Sequence, residues 1–209
     1  MGLNRKELGM RPSDVLSGEH RVIELVLACL ERIVQDGERR GRVASWPAAE
    51  ALDFFRTFAD RCHHGKEEKC FFPAMEAHGF PRHGGPTGVM LAEHDRGRAC
   101  VRGMSEALEA AGRGEAAAVG GFADQGRRYI DLLRAHIEKE DHCLFTMANR
   151  AFSEEDQRRL LAQFEQVEAE LMGAGAHERY VEMANRLAQQ LGVEQQAGVG
   201  SGHGCSHGR

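Results

Sequence analysis

The chain has 209 residues, enough for one domain with a sizeable core, and a net charge of −5 spread over both signs. That balance argues against nucleic acid as a partner and against a polybasic membrane patch. No apolar run approaches the length of a spanning helix, and the N-terminus MGLNRKELGMR lacks an apolar signal core. The expectation is therefore a cytoplasmic protein without membrane insertion. None of the six cysteines forms a Cys-x-x-Cys pair, and five lie in helical patterns, where small buried thiols pack well.

In chain order, residues 1–12 read as a flexible arm. Ser13 or Ser17 can cap a first helix that Asp36-Gly37 ends. Its apolar stripe, Ile23, Leu27, Leu30 and Val34, carries His20. A second helix runs from Trp46 to Ala77, with Pro47 in its first turn. Phe55, Ala59, His63, Glu67 and Cys70 step along one of its faces. The segment 78–86 is a Gly/Pro loop, and Pro86 or Thr87 opens a third helix to about Ala111, with His94 aligned with Met90, Val101 and Met104. The fourth helix spans about Glu115 to Arg150, with Gly120-Gly121 a candidate kink, and carries His136 and Glu140 beside Tyr129 and Leu133. Ser153 to Asp156 resembles a capping box that opens a fifth helix, and a sixth comes after Gly173-Ala174-Gly175. No strand pattern competes. The division is 1–12 arm, 13–150 helical domain, 151–192 helical extension and 193–209 disordered Gly/His-rich tail. The tail carries His203, Cys205 and His207 as a weak metal-scavenging motif.

A charged Glu on a core-facing stripe is costly unless something neutralises it. His63 with Glu67, and His136 with Glu140, each lie four residues apart, so both members of a pair can reach one metal ion. The His-x-x-x-Glu echo is a weak two-fold signal. With His20 and His94 the set exceeds one tetrahedral zinc and fits two ions, each holding two His, with both Glu able to bridge. His64 and Glu68 form a competing pair one residue on, rotated by about 100°. The stripe through Phe55 and Ala59 favours His63 and Glu67. Glu93 and Asp141 are placed in solvent or behind the ligands. Tyr129 reads as a packing residue with a hydrogen-bonded hydroxyl. Tyr129 and Glu93 are also weaker candidates for proton relay. His78, His83, His142 and His177 read as surface, and Met75, Met104 and Met147 as core.

Glu19-His20, the run His63-His64-Gly65-Lys66-Glu67-Glu68 with Phe71-Phe72-Pro73, Glu93-His94, and His136 with Glu140 and Leu144-Phe145 together resemble the hemerythrin-like, His-His-Glu cation-binding proteins over residues 15 to about 150. The resemblance implies an all-α, up-and-down four-helix bundle, here with two extra C-terminal helices. It implies an oxo- or hydroxo-bridged pair of iron ions on His20, His63, Glu67, His94, His136 and Glu140; manganese or a mixed iron–manganese pair has the same ligand preferences. Oxygen carriers of the family have a second His on the third helix, where this chain has Met90. The implied activity is binding or sensing of O2, NO or peroxide. The alternatives are a di-iron oxidoreductase, acting on peroxide or NO with an electron donor, and an iron-storage or iron-responsive protein. A sensor would use the last two helices as a partner surface.

Overall fold

In a computed structural model, residues 9–173 and 175–194 are described. The N-terminal arm up to residue 8 and the tail from residue 195 lie outside them. The described residues are all-helical, in six helices. These are α1 (Pro12–Arg40), α2 (45–77), α3 (Pro86–Gly112), α4 (116–151), α5 (Glu154–Met172) and α6 (Ala176–Leu191). No helix is long and apolar enough to cross a membrane.

Pro12 opens α1, and the Arg11 backbone N–H donates to Asp14 Oδ2 at 2.8 Å. Ser13 and Ser17 do not cap it; they bond Asn149 and Asp141 of α4 instead. The helix also passes the expected stop at Asp36-Gly37. Asp36 is held by Arg39 at 2.7 Å and Arg32 at 3.3 Å, and Gly37 packs beneath Val43. Gly41, at φ 68°, ends the helix, because that left-handed conformation costs glycine little. At Gly120-Gly121 the α-helix runs on unbroken. Ser153 caps α5 as expected, accepting from the Asp156 N–H at 3.2 Å while Asp156 accepts from the Ser153 N–H at 3.1 Å.

Three stretches depart from α geometry: Phe55–His64 and Glu67–Phe71 in α2, and Glu140–Leu144 in α4 are π-helical. A π turn takes in extra residues and so rotates the next stretch of helix about its axis. The apolar core falls into two clusters. One gathers Leu27, Leu30, Phe54, Phe58, Phe122 and Leu133 with Leu187 of α6. The other gathers Leu16, Phe71, Phe72, Met75 and Phe145 with Leu160 and Phe164 of α5. Met90 belongs to the second cluster, whereas Met147, expected in the core, is 37 % exposed. Cys29, Cys62, Cys70 and Cys100 are buried free thiols. Cys143, by contrast, is disulfide-bonded.

Candidate metal centre

Seven side chains converge from four helices, all at most 4 % exposed: His20 from α1; His63, His64 and Glu67 from α2; His94 from α3; His136 and Glu140 from α4. The imidazoles face in pairs through Nε2, His20 to His63 at 3.1 Å and His94 to His136 at 3.2 Å. Each carboxylate reaches one histidine of each pair. Glu140 Oε2 is 3.2 Å from His20 Nε2 and 3.3 Å from His136 Nε2. Glu67 Oε1 is 3.4 Å from His63 Nε2, and its Oε2 is 3.4 Å from His94 Nε2.

The outward nitrogens of these four rings all meet carboxylates. His20 Nδ1 meets Asp141 at 2.9 Å, His63 Nδ1 meets Glu19 at 2.9 Å, His94 Nδ1 meets Glu68 at 2.7 Å and His136 Nδ1 meets Glu93 at 2.9 Å. A histidine that donates Nδ1–H to a carboxylate turns the lone pair of Nε2 inward, the usual support for a metal-binding imidazole. Each supporting carboxylate is backed by a cation in turn: Asp141 by Arg21, Glu68 by Arg98, Glu19 by Lys66 and Glu93 by Lys139.

The donor set fits metal ions. Both oxygens of Glu67, both of Glu140 and Nε2 of His64 are buried without a hydrogen-bond partner. Such atoms are expensive to bury unless a cation meets them. Two groups of four donors each lie within 4.8 Å, namely His20, His63, Glu67 and Glu140, and His64, Glu67, His94 and His136. Two imidazoles on one ion at about 2.1 Å stand roughly 3.0 Å apart at right angles and 3.4 Å apart at the tetrahedral angle, which brackets the Nε2 pairs.

His64 is the residue that the sequence pattern undervalues. A regular helix forces a choice between His63 and His64, but the π-helical stretch turns both inward. His63 faces His20; His64 stacks on His94, ring centroids 3.7 Å apart at 12°. Glu68, its presumed partner, supports His94 instead.

The electrostatics are those of a site built for cations. Burial disfavours a charge on His20, but Asp141 and Glu140 outweigh it and raise its pKa to about 9. Burial likewise disfavours a charge on His136, but the neighbouring carboxylates Glu140 and Glu93 raise its pKa, also to about 9. His63 is lowered to about 4, chiefly by burial. His64 falls well below the ordinary histidine range through burial and its histidine neighbours. Burial and the facing Glu140 push Glu67 well above the carboxylate range. Burial would raise Glu140 too, but His136 and His20 hold it well below that range. Protons on His20, His136 and Glu67 therefore take the place of positive charge.

Lys66, unremarked in the sequence, is fully buried. Its ammonium bonds Glu19 and, at 2.9 Å, Glu168 of α5. His177 of α6, expected on the surface, is only 19 % exposed and lies 3.6 Å from Glu19. Cys62 sits with Glu19 and Glu168, but Lys66 already neutralises that group, and burial pushes the thiol up to about 12. Tyr129 is buried against Phe55, ring centroids 4.8 Å apart, and its hydroxyl makes no hydrogen bond among the described residues.

An all-helical protein with buried His/Glu groups that can hold metal ions is of the cation-binding class. The model of the hemerythrin HHE cation-binding domain matches residues 11–148, and the chain belongs to that family. Neither a curated protein nor a solved structure matches it.

Proposed function

We propose that this is a non-haem di-iron protein that binds O2, NO or peroxide at a carboxylate-bridged centre. In this reading an up-and-down four-helix bundle supplies His20, His63, Glu67, His94, His136 and Glu140 as ligands, with His64 as a further donor. The observation that carries it is the crossed arrangement of the carboxylates: Glu140 approaches His20 and His136, and Glu67 approaches His63 and His94. Bound iron would supply one-electron redox chemistry and a position for a small ligand. The chain's own residues do the rest. Asp141, Glu19, Glu68 and Glu93 fix the tautomers of the histidines, and Phe72 and Phe145 stack near His94 and His20 and keep water out. Glu93 joins His136 Nδ1 to the half-exposed Lys139, a route for a proton between ring and solvent. The cavity beside His64 favours an oxidoreductase over a store, because a store needs no room for a second molecule.

The test is metal content and an optical spectrum on protein purified without oxygen and then exposed to air. Two irons per chain with new near-ultraviolet and visible charge-transfer bands are expected. His20→Ala and His136→Ala lose iron; variants that both keep a full complement contradict the ligand assignment.

A further inference from the structure

A cavity of about 350 Å³ opens between α2 and α3, with His64 in its wall. Its inner lining is apolar: Phe55, Val101 and Tyr129 are each at most 6 % exposed. Gly97 completes that wall, and a Cβ there would lie 3.3 Å from the Tyr129 ring. Phe55 and His64 are the first and last residues of the π-helical stretch, so the segment that turns His64 inward also shapes the cavity.

The rim is charged and unevenly paired. Arg98 is engaged by Asp60 at 2.8 Å, Glu68 at 2.6 Å and Asp95 at 3.0 Å. Arg56 has only a 3.4 Å contact with Ser105 Oγ, and Arg102 makes no ion pair among the described residues. Both are exposed. Glu106 is the one rim carboxylate that stands against them, since Asp60 is taken by Arg98. Arg56 and Arg102 are thus left without a carboxylate in ion-pair distance among the described residues, which suits an anionic group on a ligand. Guanidinium forks pair well with a planar carboxylate. The apolar wall suits a flat hydrocarbon body, and the volume lies in the range of small-molecule pockets.

We propose that this cavity binds a small monocarboxylic acid with a flat apolar body. The body lies between Phe55, Val101 and Tyr129, and Arg56 and Arg102 hold the carboxylate at the rim. The end remote from the carboxylate then meets His64 and the candidate metal centre, which makes an organic acid the substrate class. That consequence rests on the di-iron reading; the binding itself does not.

The test is calorimetry on the full chain as purified, with metal content measured on the same sample. The probes are 2-naphthoate and its neutral analogue 2-naphthol at neutral pH. One naphthoate per chain is expected, with naphthol bound about tenfold more weakly or worse, the scale of a charge-assisted hydrogen bond. The double variant Arg56→Ala/Arg102→Ala loses that advantage for naphthoate and binds naphthol as before, at unchanged metal content. Ser105→Trp, which blocks the rim away from the candidate ligands, abolishes both. Equal binding of the two probes overturns the proposal. So does naphthoate binding undiminished in the double variant, which would put the acid on the metal. Two ions per chain with no naphthoate binding overturns this proposal alone; naphthoate binding to a chain that carries no metal overturns the di-iron reading alone.

Discussion

The runs His63-His64-Gly65-Lys66-Glu67-Glu68 and His136-Ile137-Glu138-Lys139-Glu140-Asp141 do equivalent work in the two halves of the centre. In each, the first residue pairs with the histidine of the preceding helix. The Lys backs a Glu that supports that first histidine, the next Glu crosses the centre, and the last acid supports a histidine opposite. The halves differ where the runs differ. Ile137 joins the apolar core, whereas His64 adds a donor and a cavity wall. Glu138 is exposed, whereas Gly65 is buried under α5, where a Cβ would lie 3.2 Å from Leu171. Lys139 is 42 % exposed, whereas Lys66 is sealed in by α5 and α6. The first run is closed over Lys66 and Gly65 by the helices C-terminal to the family-matched segment and lines the cavity through His64; the second leaves its lysine half-exposed. The lysine of the same motif can thus be sealed or left open to solvent, according to what packs on its outer face.

The sharpest way to break this comparison is to remove the two lysines separately. Lys66→Ala leaves Glu19 buried without its main counter-charge and is expected to cost about 3–5 kcal/mol in chemical denaturation. Lys139→Ala removes a half-exposed cation and is expected to cost no more than about 1 kcal/mol. Equal losses would mean that the extension does not seal its half.

Next come the positions between histidine and lysine. Gly65→Val drives a side chain into Leu171 and is expected to cost about 1–3 kcal/mol. Glu138→Val, on an exposed face, should stay within about 0.5 kcal/mol. A tolerant Gly65 would show that α5 is free to move away.

A further test is a pH dependence shared by both halves. In the metal-free protein His20 and His136 have pKa values of about 9, raised from the ordinary 6.5. The stability they contribute is full below pH 6.5 and is lost as pH rises through about 9. Metal uptake must displace the same protons, so affinity rises over that window. The difference in Tm between metal-loaded and metal-free protein should widen from pH 6.5 to 9. A constant or narrowing difference would mean that these histidines do not exchange protons for metal.

Much of the fold is legible in the sequence, because apolar periodicity and caps such as Ser153 are local signals. The end of α1 is misread at Asp36-Gly37, where neighbouring arginines and a tertiary contact with Val43 carry the helix onward. The six expected site residues are brought together, since spacing of three to four reports a helix face. His64 is hidden by that same rule: a period of 3.6 admits one of two adjacent histidines, and nothing in composition announces a π turn. Lys66 has a signal that goes unread. His-x-x-Lys-Glu occurs twice, and so does Glu-His, which marks both Glu–Lys pairs. His177 and Glu168 carry no signal, because their partners lie far away in the chain.

The most direct measurement is a crystal structure of the iron-loaded protein soaked with azide, with anomalous scattering recorded at the iron edge. The account predicts two peaks, one among His20, His63, Glu67 and Glu140 and one among His64, His94, His136 and Glu67, with azide on the second. A single peak, or azide on the ion beside His20 and His63, would contradict it.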